Sequence, residues 1–156
     1  MKSDVSLDAV DQRILAILQR DAAISHSELA EQVGASTASC WRRVKAMEAA
    51  GILTGTVWLA DPAKLGRSVN VLCSVRVGSQ IQESSLDFED FCRAQPEIVE
   101  CYSMSGDYDY LLRVVARDVA DYNEFLKSKL LKHSAVAAAS SHFALETIKF
   151  TTALPV

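Results

Sequence analysis

The stretch Ser25-His26-Ser27-Glu28-Leu29-Ala30-Glu31-Gln32-Val33-Gly34-Ala35-Ser36 decides how the first third of the chain is read. Ser25 with Glu28 three residues later is a capping-box pattern, in which hydroxyl and carboxylate satisfy each other's free backbone N–H groups. A short helix therefore starts there, with Leu29, Ala30 and Val33 turned toward a core. Gly34 suits the position just past a helix end, where positive φ costs glycine little. Ser36 can cap a further helix only two residues on. Two helices around a tight glycine turn make the helix-turn-helix pattern.

Upstream, Asp8 can cap a first helix, and Asp11 adds favourable charge in its first turn. Val10, Ile14, Ile17 and Leu18 form its apolar stripe. Downstream of Ser36, Cys40, Val44 and Met47 recur at helical spacing and should face the same core. That leaves Thr37, Ser39, Trp41, Arg42, Arg43 and Lys45 away from it or on its border, with Trp41 expected to serve packing. Gly51 ends this third helix. Ile52 to Leu59 reads as strand turned at Thr54-Gly55, which would complete a winged helix-turn-helix. Asp61-Pro62-Ala63-Lys64-Leu65-Gly66 is turn-rich and marks a boundary.

Beyond it the pattern changes. Val69, Val71, Cys73, Val75 and Val77 alternate with Asn70, Leu72, Ser74 and Arg76, a strand of period two. Ser84 or Ser85 can cap a helix carrying Phe88, Phe91 and Cys92, closed by Pro96. Ile98 to Met104 and Tyr108 to Ala116 read as hairpin strands around Ser105-Gly106-Asp107. Asp118 can cap a helix with Tyr122, Phe125, Leu126 and Leu130, and Val136 to Phe150 holds a last strand. The order β-α-β-β-α-β is the ferredoxin-like arrangement, with helices on one sheet face. Leu111 and Val115 on one side of their strand, and Tyr110, Leu112 and Val114 on the other, make both faces apolar. The second face is therefore expected to meet another subunit. The fold class is α+β, with a winged helix-turn-helix domain over 1–55, a linker strand and turn over 56–67, and a ferredoxin-like domain over 68–156.

With 16 Lys and Arg against 20 Asp and Glu, the net charge of −4 argues at first against a nucleic-acid partner. The charge is sorted, however. Residues 36–50 hold Arg42, Arg43 and Lys45 against Glu48 alone, so the third helix is basic while the chain is acidic. A solvated helix face would have the same composition. No apolar run is long enough for a membrane span, and no apolar segment follows Met1-Lys2-Ser3-Asp4, so a cytoplasmic protein with reduced thiols is expected. The four cysteines, Cys40, Cys73, Cys92 and Cys101, show no zinc-ligand spacing and read as small buried hydrophobes. No catalytic constellation, metal site or cofactor site is readable.

In order and spacing, the residues resemble the leucine-responsive and asparagine-synthesis regulators, the Lrp/AsnC or feast/famine family. The resemblance rests on Leu7-Asp8-x-x-Asp11-x-x-Ile14-Leu15-x-x-Leu18-Gln19, Glu28-Leu29-Ala30-x-x-Val33-Gly34-x-Ser36, Arg43-Val44-x-x-Met47-Glu48-x-x-Gly51-Ile52-Leu53-x-Gly55, and Ser105-Gly106-Asp107-Tyr108-Asp109-Tyr110-Leu111-Leu112. It runs from Leu7 to the C-terminus. Cys40-Trp41-x-Arg43 and the run from Ser140-Ser141 to Leu154-Pro155 look closer to the branch of cysteine-responsive detoxification regulators. The chain departs from the family at Ala23, Ala46, Met47 and His133-Ser134-Ala135. The Ala46 change removes a possible phosphate contact.

The resemblance implies a DNA-binding transcriptional regulator controlled by a small effector, an amino acid such as cysteine, leucine or methionine. The third helix would enter the major groove of double-stranded DNA. Ser36, Thr37 and Ser39 would reach phosphates or base edges, and Arg42, Arg43 and Lys45 would supply cations. Arg43 can instead pair with an acid. The family's effector site falls on Ser105, Gly106, Asp107, Tyr108 and Asp109, where turn amides can hold a carboxylate and an Asp an ammonium group. Ser140 and Ser141 could complete it from a neighbouring strand. A plain hairpin turn with solvated acids is the alternative. Family members form homodimers and higher assemblies such as octamers. Two other functions fit the same pattern: an enzyme like the siroheme decarboxylases, and a metabolite-sensing oligomerisation module without DNA binding.

Overall fold

A computed structural model of the chain describes residues 6–78 and 82–156, with the side chains of 82–85 outside the description. The chain forms two compact units. Residues up to Trp58 make the first together with the tail Lys149–Val156, and Leu59–Ile148 makes the second.

The first unit holds helices α1 (Ala9–Leu18), α2 (His26–Val33) and α3 (Thr37–Ala49). Each begins at its expected cap. Asp8 Oδ1 accepts from Val10 N at 2.8 Å and Asp11 N at 2.9 Å, while Asp11 Oδ2 accepts from Asp8 N. Ser25 and Glu28 exchange bonds of 3.2 and 3.1 Å. Ser36 Oγ accepts from Ser39 N at 3.2 Å. Gly34 sits at φ 69°, the left-handed conformation that reverses the chain between α2 and α3. Ile14, Leu15, Leu29, Ala30, Val33, Cys40, Val44 and Met47 form the core, with Val10, Ile17 and Leu18 partly buried beside it. Leu15 thus joins a stripe the sequence pattern had centred on its neighbours.

The expected wing strand is absent. Ile52 and Leu53 pack on the core, but 54–60 adopt no strand, and Val57, Trp58 and Leu59 stand in solvent. A strand needs a partner for its backbone N–H and C=O groups, and the described residues of this chain offer none there. The tail, expected with the second domain, lies in the first unit, where the Gln19 side-chain amide donates to Leu154 O at 3.1 Å and accepts from Leu154 N at 2.7 Å.

The second unit is built from β1 (Val69–Val77), α4 (Gln82–Ala94), β2 (Ile98–Ser103), β3 (Tyr110–Ala116), α5 (Val119–Ser128), a 3-10 turn (Leu130–Lys132) and β4 (Val136–Phe143). All neighbours pair antiparallel in the order β2-β3-β1-β4, the ferredoxin-like sheet. One face buries Val71, Cys73, Val75, Tyr110, Leu112, Val114 and Ala116 against Phe88 and Cys92 of α4 and Tyr122 and Phe125 of α5. α4 begins at Gln82, so Ser84 and Ser85 fall inside the helix and not at its cap. α5 ends at Ser128, and Leu130 reaches the core from the 3-10 turn. β4 ends at Phe143, where the last rung is Ala144 N to Asn70 O at 2.9 Å. Beyond that rung only Val69 of β1 remains, and Leu145 and Ile148 are exposed instead of lying on a strand to Phe150.

Asp118 caps α5 through Asp121 N at 2.7 Å. Asp121 is bound by the Arg117 guanidinium at 2.6 Å and the Arg117 N–H at 2.9 Å, which hold its carboxyl at about 2 against an ordinary 3.8. A depressed folded value stabilises the native state above the unfolded one. The Asp121 contribution is therefore complete above pH 3.8 and lost as pH falls toward 2. In acid unfolding monitored by circular dichroism, Asp121→Asn should remove that part of the pH dependence while leaving the slope above pH 5 unchanged.

Candidate nucleic-acid interface and ligand turn

Helix α3 buries Cys40, Val44 and Met47, which fixes its outward side. At 100° per residue, Thr37, Trp41, Lys45, Ala38 and Arg42 follow one another around that side. Thr37, Arg42 and Lys45 are exposed, and Trp41, expected to pack, is 53% exposed among them. Among the described residues Arg42 forms no ion pair. Lys45 Nζ meets only Glu48, at 2.7 Å in an exposed i,i+3 pair, an arrangement of little energetic weight. Ser36 spends its hydroxyl as an acceptor on the helix cap, and Ser39 is half-buried and supplies the N–H it accepts.

Arg43 lies elsewhere. Its guanidinium bridges Asp8 at 2.8 Å and Asp11 at 2.7 Å, tying α3 to the start of α1. The two carboxylates raise the Arg43 pKa, and the Asp8 carboxyl is lowered first by the Asp11 N–H and then by Arg43. The structure separates this residue from the outward cations, as the acid-pairing alternative required.

In the second unit, the turn Ser105–Asp109 is exposed through Asp107 and half-buried at Tyr108 and Asp109. Gly106 takes φ 121°, which a side chain would strain. The turn is braced against the end of β1. Asp109 Oδ2 accepts from Val77 N at 2.8 Å, and Asp109 N donates to Val75 O at 2.9 Å. Arg76 Nε donates to Asp107 O at 2.9 Å, and its guanidinium lies 5.2 Å over the Tyr108 ring. Asp109 is thus partly committed to the backbone, while the Asp107 side chain has no hydrogen bond among the described residues. Arg76 escaped the sequence reading. Its outward position in the β1 alternation was visible, but its reach to a turn thirty residues away was not.

Ser140 and Ser141 point to opposite faces. Ser141 pairs with Cys73 on the helix-covered face, where its hydroxyl hydrogen-bonds Tyr122 Oη at 2.5 Å. Burial, with the nearby Cys73 thiol, raises the Tyr122 pKa beyond the ordinary tyrosine range, and the Ser141 bond opposes the shift. Ser140 pairs with Ser74 on the open face, one rung from Arg76.

A capped helix-turn-helix joined to a ferredoxin-like unit with a braced, glycine-containing turn defines a DNA-reading, ligand-sensing class of protein. Residues 7–48 match the AsnC-type helix-turn-helix domain and residues 70–154 the Lrp/AsnC ligand binding domain. The chain belongs to the Lrp/AsnC family of DNA-binding transcriptional regulators. It is 37% identical over 150 residues to the DNA-binding transcriptional activator DecR of Escherichia coli, covering 96% of this chain and 99% of that one. Its fold superposes at TM-score 0.91 on an AsnC family transcriptional regulator from Agrobacterium tumefaciens, at 44% identity over 96% of this chain and 97% of the other. A Neisseria meningitidis transcriptional regulator in complex with L-methionine superposes at 0.93, at 33% identity and the same coverage. These relatives are regulators and not enzymes, which sets the decarboxylase reading aside. No described helix is long and apolar enough to cross a membrane.

Proposed function

We propose that this regulator reads double-stranded DNA with the outward side of α3 and answers to an amino acid bound at the turn Ser105–Asp109. The observation carrying the first half is the isolation of Arg42, with Lys45 one helical neighbour away and Thr37 and Trp41 on the same side. Two exposed cations on one side of the helix suit phosphates, and Thr37 and Trp41 offer a hydroxyl and an apolar edge to bases. Ser36 and Ser39 position the helix start, and Arg43 locks α3 to α1, which keeps the reading face rigid.

For the second half, an α-amino acid needs an anion partner and a cation partner. Arg76, whose terminal nitrogens make no hydrogen bond among the described residues, can hold the carboxylate together with turn amides near Gly106. Asp107 can hold the ammonium group. Ser140 lies on the same face as Arg76, whereas Ser141 serves the core. Methionine, leucine and cysteine are the first candidates, methionine on the strength of the Neisseria relative's ligand. Calorimetry with these three L-amino acids tests the assignment. Arg76→Ala and Asp107→Asn should each weaken the best ligand by about tenfold or more, and unchanged affinity in both would remove the turn from consideration.

The open sheet face carries Leu72, Tyr102, Leu111 and Val115 around the Arg113–Glu100 pair, at 2.7 Å. With Val57, Trp58 and Leu59 exposed in the unpaired 54–60 segment, it supports a homodimer and higher assemblies such as an octamer, working on DNA in the cytoplasm. Light scattering on the intact chain reads that state directly.

A further inference from the structure

Cys101 departs from the expectation of four buried cysteines. Cys92, on α4, is buried, but Cys101, on β2, is exposed. Both line a cleft of about 410 Å³ between α4 and β2, together with Glu89, Arg93, Glu100 and Tyr110. The two thiols thus share the walls of one cleft, near enough that each shifts the other's titration. Cys101 pairs with Leu112, a fully buried residue of the helix-covered face. A subunit docking on the opposite face would therefore leave Cys101 reachable through the cleft. The other cysteines offer no such arrangement: Cys40 and Cys73 are fully buried in separate units.

We infer that Cys92 and Cys101 form a peroxide-reactive dithiol that closes to an intramolecular disulfide between α4 and β2. The roles differ by environment. Cys101 opens to solvent while Cys92 lies buried behind it. The neighbouring Cys92 thiol lowers the Cys101 pKa, with the Arg93 guanidinium assisting and burial and Glu89 opposing, and Cys101 together with burial raises that of Cys92. Thiolate character and access together mark the reactive sulfur, here Cys101. Its thiolate attacks one oxygen of a hydroperoxide, so an S–O bond forms, the O–O bond breaks, and the departing oxygen leaves as water or alcohol after taking a proton. Cys92 then loses its proton and attacks the Cys101 sulfenic sulfur. The S–S bond forms, the S–O bond breaks, and hydroxide leaves with that proton as a second water. Two thiols give up two electrons, and the peroxide bond accepts them. Closing the bond requires the two sulfurs, on facing walls of one cleft, to approach to about 2.05 Å.

Trypsin tests this cleanly, because cleavage after Arg93 separates the two thiols. Cys92 falls in fragment 77–93, Cys101 in 94–113, Cys73 in 68–76 and Cys40 in 21–42. The intact protein, in its own assembly state, is treated with a small excess of hydrogen peroxide, alkylated and digested without reductant. The expected result is loss of two of the four free thiols, fragment 77–93 joined to 94–113, and full reversal by dithiothreitol. In Cys92→Ser, Cys101 should instead accumulate as sulfenic acid trapped by dimedone, and in Cys101→Ser, Cys92 should remain unmodified. The inference is overturned if 94–113 joins a second 94–113 from another subunit, if Cys101 goes to sulfinic acid while Cys92 is still alkylated, or if neither thiol reacts where a free cysteine peptide does.

Discussion

With Arg42 and Lys45 both replaced by alanine, affinity for duplex DNA falls about 30-fold per bound subunit at roughly 0.15 M salt. The number comes from counterion release: each phosphate contact contributes a slope of about 0.9 in the logarithm of affinity against the logarithm of salt. Losing two contacts therefore lowers the slope by about 1.8 per bound subunit. Both side chains are exposed and neither braces the core, so the native fold should survive. A duplex selected by the wild-type chain from a random library, titrated by fluorescence anisotropy at several salt concentrations, gives affinity and slope together. An unchanged slope would mean that DNA meets another surface. Arg43→Ala separates the two roles of basic residues on α3. It should weaken DNA binding through loss of the α1–α3 bridge and lower the melting temperature, with no proportionate change in salt slope.

The second large effect is on stability. Leu29→Ala should cost the first unit about 2–5 kcal/mol, the range for emptying a closely packed leucine site. Leu29 is 1% exposed in a core of only eight buried residues, and a unit this small has little stability to spare. Both tryptophans, Trp41 and Trp58, lie in that unit, so their fluorescence during urea unfolding reports it alone. The expected outcome is an early tryptophan transition and loss of DNA binding, with amino-acid binding by the second unit retained. An unshifted tryptophan transition would show that this core bears little of the stability.

What could be read from the sequence was what neighbouring residues decide. Asp8, Ser25 with Glu28, Ser36 and Asp118 cap helices through bonds spanning two or three residues, and Gly34 turns the chain by its own φ. The βαββαβ order followed from alternation and turn residues, which are equally local. What depended on distant partners was harder to see. Arg43 lies on a basic helix, but the carboxylates that claim it are 32 and 35 residues away. The wing segment has strand composition and no partner among the described residues of its own chain. The last strand stops where β1 begins, a limit set by register. Ser140 and Ser141 were separable in advance, since adjacent strand residues face opposite sides. Which side was covered depended on α5 and Tyr122. A net charge of −4 therefore does not weigh against the proposed reading face: Asp8 and Asp11 claim Arg43, and Arg42 and Lys45 remain outward, with Glu48 beside Lys45.

A DNA-reading helix coupled to a ligand turn predicts linkage between the two ligands, and one measurement tests it. The wild-type chain is titrated onto its selected duplex by anisotropy, with and without a saturating amino acid from the panel of twenty, and the amino acid is titrated by calorimetry onto free and DNA-bound protein. Linkage requires both couplings to be the same factor. The predicted result is a change of about fivefold or more in DNA affinity with at least one amino acid, matched in the reverse titration and abolished by Arg76→Ala with Asp107→Asn. An amino acid that binds without altering DNA affinity, or a coupling that survives that double substitution, would contradict it.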